Sequence, residues 1–334
     1  MLLSFVVPCY NVEKNIQRCL DSIYACDLSE DKFEVLCVND CSPDGTQIIL
    51  EENRKCHGNL RIIVHEFNKG PGGARNTGIS GARGDYIWFV DSDDEIQGGC
   101  LKDVLDRICN DNLDIMTFNY RLVDSYGNEK PLQYLLKDIP VQNGTSFAKT
   151  AFEGGIALNM GYVVRFIYKT AFLRSHNLQF PEKVCWEYTV FMPKSIILAQ
   201  RVAAVSPIMY TYWMNPGSIS NTFRRAYPAR MIFEFSFDAG NDVLRLSEEV
   251  EDEELCIELR NAAINRYINY FPINLFRTNR VNRKKFYELV NERKKKVAEL
   301  KAFMKPFSKV LLLPVVGRVV AECGTFLYRI KHVK

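Results

Sequence analysis

Histidine is scarce and the cysteines are scattered in this chain of 334 residues. Four histidines, and eleven cysteines without a Cys-x-x-Cys spacing, leave no zinc site of the usual kind. An odd, scattered set of cysteines fits a reducing compartment, with most of them serving as small core residues. Long apolar runs are missing too. Residues 307–328 are rich in Leu, Val and Phe, but Lys309, Pro314, Arg318 and Glu322 break them, which speaks against a spanning helix. The N-terminal apolar run has no charged lead and turns polar by residue 10, so no secretory leader is expected. Neither G-x-x-x-x-G-K-[ST] nor G-x-G-x-x-G occurs. Their absence disfavours a phosphate-loop NTPase and a dinucleotide-dependent oxidoreductase. Internal repeats and low-complexity linkers are absent as well.

What is present divides unevenly. The net charge of +3 hides an asymmetry: residues 280–334 hold 15 Lys/Arg against 4 Asp/Glu, or +11, and the remainder holds 28 against 36, or −8. A basic tail on an acidic body points to an anionic partner. Nucleic acid is not expected, since no aromatic-basic interleaving accompanies the charge. Arg283-Lys284-Lys285 and Arg293-Lys294-Lys295-Lys296, followed by the broken apolar stretch, suit a segment lying on an anionic membrane. The alternative is a solvated basic helix followed by one that packs on the body.

The most informative run is Gly84-Asp85-Tyr86-Ile87-Trp88-Phe89-Val90-Asp91-Ser92-Asp93-Asp94. Residues 86–90 are β-branched or aromatic and read as a buried parallel strand. Three carboxylates follow within four positions. In extended chain Asp91 and Asp93 face one ligand. Hard divalent cations take oxygen ligands and share them with substrate phosphates, and ligands of open α/β sheets bind at carboxyl strand ends. A metal–diphosphate site and a solvated acidic turn are the two readings.

Upstream, residues 2–7 and 33–38 predict strands, each followed by a polar turn and a helix, with a third strand over 60–65. Ile16, Leu20 and Ile23 share one helical face. This β-α-β-α-β alternation predicts a doubly wound, mainly parallel sheet. Asp40, at a strand end, can accept an N–H from a nucleobase or serve as a turn residue. Asn68-Lys69-Gly70-Pro71-Gly72-Gly73-Ala74-Arg75-Asn76-Thr77-Gly78 reads as a phosphate-approaching loop with two cations, leading into a short helix over 74–82.

Four stretches together resemble the family 2 glycosyltransferases of GT-A fold: Ser4-Phe5-Val6-Val7-Pro8-Cys9-Tyr10-Asn11, Val38-Asn39-Asp40-Cys41-Ser42-Pro43-Asp44-Gly45-Thr46, Ala74-Arg75-Asn76-Thr77-Gly78 and Phe89-Val90-Asp91-Ser92-Asp93-Asp94. They cover the first hundred residues or so, with weaker similarity to about residue 222. The resemblance implies a Rossmann-like, mixed but mainly parallel sheet flanked by helices, in a catalytic domain over 1–222. A helical, basic region over 223–334 would follow, with 280–334 as the membrane-associating part. It implies transfer of a sugar from a nucleotide-diphosphate donor, a UDP-sugar in the first place, to a glycan or lipid-linked acceptor of a surface or capsular polysaccharide. The chain would then be cytoplasmic and peripheral on the membrane's cytoplasmic face. Asp40 is implied at the base, and Pro8, Tyr10 and Glu13 around the nucleoside. Asp91, with Ser92 beside it, falls near the ribose, Lys69 and Arg75 near the diphosphate, and Asp93 or Asp94 on Mn²⁺ or Mg²⁺.

The base is the open assignment. The family places Glu-Asp ahead of an apolar helix, and the matching stretch is Cys185-Trp186-Glu187-Tyr188-Thr189-Val190-Phe191. Glu187 falls on the Glu, and Tyr188 stands where the Asp is expected. An ordinary tyrosine titrates near 10 and is a poor base at neutral pH. Glu187 acting after a local shift, another carboxylate such as Glu182, and an inactive donor-binding subunit stay open. A nucleotidyltransferase is a further rival. Trp186, Tyr212 and Trp213 read either as sugar-stacking residues or as core.

Overall fold

The computed structural model describes residues 1–132, 135–153, 162–182, 187–214, 229–262, 287–288 and 291. Two compact units divide the chain, Met1–Ser218 and Ile219–Lys334.

The first unit opens with alternating strands and helices: β1 (Leu3–Cys9), α1 (Ile16–Tyr24), β2 (Phe33–Asn39), α2 (Thr46–Cys56), β3 (Leu60–Val64), α3 (Gly70–Gly81) and β4 (Tyr86–Phe89). It continues through β5 (Glu95–Ile96), α4 (Leu101–Asn110), β6 (Ile115–Asp124), β7 (Glu129–Lys130), β8 (Ile139–Gln142) and α5 (Gly144–Glu153). After these come β9 (Phe166–Lys169), α6 (Thr170–Ser175), α7 (Tyr188–Leu198) and β10 (Val202–Met214). One sheet runs in the order β3-β2-β1-β4-β9-β6-β10-β5, with β7 beside β6 and β8 beside β10. Strands β1 to β4 pair in parallel, as do β6 and β10, whereas β9 runs antiparallel to both its neighbours. The doubly wound, mainly parallel sheet expected from the alternation is therefore present, with the mixed character that the resemblance implies.

The parallel half follows from its apolar strands. All seven residues of β2 and all four of β4 are buried, as strands covered on both faces require. In α1, Ile16, Cys19, Leu20 and Ile23 are buried at helical spacing, and α4 repeats the pattern with Leu101, Val104, Leu105 and Ile108. At the centre of the sheet Trp88 meets Phe5 and Phe118, with ring centroids 5.6 and 5.0 Å apart. Its indole N–H, which needs a partner when buried, donates to the Val164 carbonyl at 2.7 Å.

Two local expectations change. Helix α3 begins at Gly70, inside the stretch read as a loop. Pro71 fits the first turn because its missing N–H is one of the helix's unpaired donors. Gly70 itself has φ +76°, which only glycine adopts without strain. Second, residues 91–94 are not extended. The Asp94 N–H closes a turn on the Asp91 carbonyl at 3.0 Å, so the two-residue alternation that would aim Asp91 and Asp93 alike does not apply. Within residues 125–150 lie β7, β8 and the start of α5.

In the second unit the described residues are helical, mainly α8 (Ala229–Glu249) and α9 (Glu253–Ala262). Among the described residues no helix is long and apolar enough to cross a membrane. The expected boundary at 222/223, Trp186, and nearly all of the basic segment 280–334 lie outside the described residues.

Candidate functional site

The turn after β4 sorts its carboxylates by environment. Asp94 is 1% exposed and turned inward. Its Oδ2 accepts from the Tyr210 hydroxyl and its Oδ1 from the Trp213 backbone N–H, both at 2.8 Å. The same Tyr210 oxygen accepts the Asp91 N–H at 3.1 Å. Burial, reinforced by Asp93 and Asp91, pushes the Asp94 carboxyl up. Asp94 thus latches β10 to the turn, each of its oxygens accepting from a protein donor. Ser92 is buried with it, while Asp91 and Asp93 stay partly exposed. Arg18, unforeseen from sequence, braces the turn from α1. It donates to the Asp93 carbonyl at 2.6 Å, pairs with Glu95 at 2.9 Å, and lies over the Trp213 ring at 4.5 Å.

Four consecutive residues of α3 act as a bracket. Arg75, 4% exposed, places one terminal nitrogen 2.6 Å from Asp91 Oδ1 and the other on Glu187 Oε1. Asn76 donates to the Phe180 carbonyl at 2.9 Å and accepts the Phe180 N–H at 2.8 Å. The Thr77 hydroxyl lies 2.8 Å from His65 Nε2. A Cβ on Gly78 would sit 2.1 Å from Val6 Cγ1, so a larger residue would push α3 off β1. Both terminal nitrogens of Arg75 are thus held by carboxylates inside the protein. Burial alone would lower its pKa, but Asp91 and Glu187 outweigh that and keep it charged. Glu187, 4% exposed, sits just ahead of α7. Burial raises its carboxyl against the pull of Arg75. Glu182 is exposed, its carboxyl carbon near the first turn of α3.

Asp40, 2% exposed at the end of β2, caps α3 from a distance. Its Oδ1 accepts the Lys69 N–H and its Oδ2 the Gly70 N–H, each at 2.8 Å, which suits a carboxylate at the positive end of a helix. His65 Nδ1 lies 2.6 Å from Oδ1. Asp40 thus spends two contacts on the glycine-rich helix start and a third on His65, roles that compete with contact to a base. The Lys69 ammonium lies 5.7 Å from the Phe67 ring centroid.

The ends of β1 and β2 meet as paired loops. The Asn11, Val12 and Glu13 N–H groups donate to Ser42 Oγ, Thr46 Oγ1 and Asp44 Oδ2 at 3.2, 3.0 and 3.0 Å. Glu13 Oε2 accepts the Gly45 N–H at 2.8 Å. Asn11 and Cys41 carry positive φ, +56° and +62°, in a region that non-glycine residues visit rarely and mostly where the surroundings impose it. Pro8 is partly exposed, and the Tyr10 ring is open to solvent beside this seam.

The description "Glycosyl transferase family 2" matches residues 4–176. The chain belongs to that family. It is 32% identical over 222 residues to the uncharacterized glycosyltransferase EpsJ of Bacillus subtilis, covering 66% of this chain and 63% of EpsJ. It is 33% identical over 218 residues to the poly(ribitol-phosphate) beta-N-acetylglucosaminyltransferase TarS of Staphylococcus aureus, covering 64% of this chain and 35% of TarS. The matched region thus spans less than two thirds of either relative. The structure of S. aureus TarS 1–349 in complex with UDP-GlcNAc superposes with a TM-score of 0.75 at 23% identity, covering 99% of this chain and 92% of that one. A mannosyltransferase of Pyrobaculum calidifontis, in complex with GDP-Man and Mn²⁺, superposes at 0.53 and 14% identity, covering 98% and 87%.

Family members of GT-A fold typically work with a divalent cation, and the donor set here can be tested against one. Among the described residues no group of three or more His, Cys, Asp or Glu could hold a metal alone. Asp94 is turned inward and Asp91 Oδ1 is held by Arg75, and the partly exposed carboxylates of the turn are Asp91 and Asp93. A short set of hard oxygens fits Mg²⁺ or Mn²⁺ that draws its other ligands from a diphosphate and water, and does not fit an all-protein cage.

Proposed function

We propose that the chain transfers a sugar from a UDP-sugar to an acceptor hydroxyl of a surface polysaccharide, by inverting displacement. The observation that carries this reading is the sorted acidic turn at the carboxyl end of β4, with Asp94 inward and Asp91 and Asp93 partly exposed. The nearby loop seam of β1 and β2, with Tyr10 exposed beside it, suits a nucleoside. TarS complexes with UDP-GlcNAc and with UDP support the choice of nucleotide. Asp93 and Asp91 Oδ2 would hold the cation, whose part is to stabilise charge growing on the departing diphosphate. Pro8, Tyr10 and Glu13 would frame the nucleoside and Lys69 would face the phosphates, while Arg75 and Asp40 hold the frame in shape. Glu187, with its carboxyl raised toward neutrality by burial, is the candidate base. Its ion pair with Arg75 must loosen before it takes a proton. A lipid-linked acceptor, and cytoplasmic placement with the basic segment 280–334 against an anionic membrane, complete the reading.

One observation favours a second reading. Glu187 is bound to Arg75 and Tyr188 stands where the family has a carboxylate, so a donor-binding subunit without turnover is the rival. Calorimetric titration of UDP and GDP, with Mn²⁺ and with EDTA, separates the cases. Metal-dependent UDP binding that Asp93→Asn removes supports the donor site, and no binding of either nucleotide refutes it. Sugar transfer by the wild type then excludes the inactive subunit, and donor binding without transfer favours it.

A further inference from the structure

A strip of half-buried tyrosines leads from the acidic turn to a buried arginine that has no counter-ion among the described residues. Tyr212 follows, by two positions on β10, the Tyr210 that bonds Asp94. Tyr212 is also close enough to Asp94, Asp91 and Asp93 for their charge to add to burial in raising its hydroxyl pKa. Its ring centroid is 5.3 Å from that of Tyr162, which is 5.4 Å from that of Tyr120 on β6. The guanidinium of Arg165 lies 4.6 Å from the Tyr120 centroid. Each ring is partly exposed.

Arg165 is 5% exposed. Its Nε donates to the Phe118 carbonyl at 3.2 Å, and among the described residues neither terminal nitrogen has a hydrogen-bond partner and no carboxylate pairs with it. Burial lowers its pKa to about 10, while Tyr120 and Tyr162 pull the other way. Arg75, buried to the same degree, has two carboxylates. A guanidinium removed from water is normally paired, and stacking on a tyrosine offsets only part of the desolvation. A charge kept under that cost, at the far end of an aromatic strip, is suited to an anion that arrives with the ligand. Rings of that kind carry sugar faces, and the guanidinium fork matches carboxylate or phosphate.

We propose that Tyr212, Tyr162, Tyr120 and Arg165 form the acceptor subsite, and that Arg165 binds an anionic group, carboxylate or phosphate, carried by the acceptor glycan. The assignment rests on the glycosyltransferase reading above and names the acceptor's chemistry. The test uses the full chain saturated with UDP and Mn²⁺, titrated with methyl glucuronide, with glycerol phosphate and with methyl glucoside. At least one anionic probe should bind about ten-fold tighter than the neutral glucoside, the worth of one charge-assisted hydrogen bond. The tighter of the two shows whether carboxylate or phosphate is preferred. Arg165→Gln should erase the preference and leave UDP affinity within two-fold, Arg165→Lys should keep part of it, and Tyr162→Leu should weaken all three probes. Equal binding of charged and neutral probes by the wild type overturns the proposal, as does a preference that survives Arg165→Gln. The wild-type comparison stands even where a variant fails to fold. Failure of UDP to bind would refute the donor reading alone, since the anion preference is read against Arg165.

Discussion

The two halves of the first unit place their functional residues by different means. In the half built from β1 to β4, each candidate sits within a few positions of its own strand end: Tyr10 after β1, Asp40 after β2, Asp91 and Asp93 after β4. Parallel strands bring those ends to one edge by construction. In the other half, Tyr120, Tyr162 and Tyr212 are far apart in sequence and meet where β6, the segment ahead of the antiparallel β9 and the long β10 come together. Arg75 joins the halves, because it belongs to the first by sequence and holds Glu187 of the second.

Cutting that joint should have the largest effect. Arg75→Met leaves Glu187 buried without a cation, and loss of one partner of a buried pair costs about 3–5 kcal/mol. Urea unfolding should show it, and a loss below about 1 kcal/mol would mean that the halves are held otherwise. Next, Asp93→Asn should lower turnover of a UDP-sugar by about 10²–10³-fold, the range for removal of one group that stabilises transition-state charge. Its stability should stay within about 0.5 kcal/mol of wild type. Equal turnover would dissolve the division of labour between Asp93 and Asp94. Asp94→Ala should do the reverse, losing about 1–3 kcal/mol of stability by leaving the Trp213 N–H and the Tyr210 hydroxyl without their acceptor, and Asp94→Asn should lose less.

The smallest effect is on pH dependence. Asp94 is raised in the folded protein, so the folded state holds its proton more tightly than the unfolded chain. The stability this contributes is present below the ordinary carboxylate range near pH 4 and is lost as pH rises through the folded value. The stability of wild type minus that of Asp94→Asn should therefore shrink between acid and neutral pH. Taking the difference cancels carboxylates such as Asp124, which is lowered by its bonds to Lys130 and Asn128 and responds in the opposite sense. A difference that grows with pH would show Asp94 to be stabilised as the anion.

The alternation of apolar runs and polar turns was enough to read the parallel half, because local periodicity reports burial directly. The inward aim of Arg75-Asn76-Thr77-Gly78 was not legible in the sequence, for a physical reason. The residue types allow a phosphate loop, but only the direction in which α3 presents them, set by Gly78 against Val6, turns them inward. The alternation that would aim Asp91 and Asp93 alike failed because a turn replaced extended chain. His65 and Arg165 left no sequence signal, being single residues whose meaning depends on partners at long range. The tension at Glu187 and Tyr188 was visible in sequence, whereas its link to Arg75 needed the fold.

Strand β9 has a consequence for how the chain is made. Its pairing partner β4 leaves the ribosome about 80 residues earlier, several seconds at ordinary rates of synthesis. During that interval β4 is the growing edge of an apolar sheet whose next strand does not yet exist. Open apolar edges recruit strands from other molecules, so a nascent chain stalled before residue 166 should be the form of this protein most in need of a chaperone.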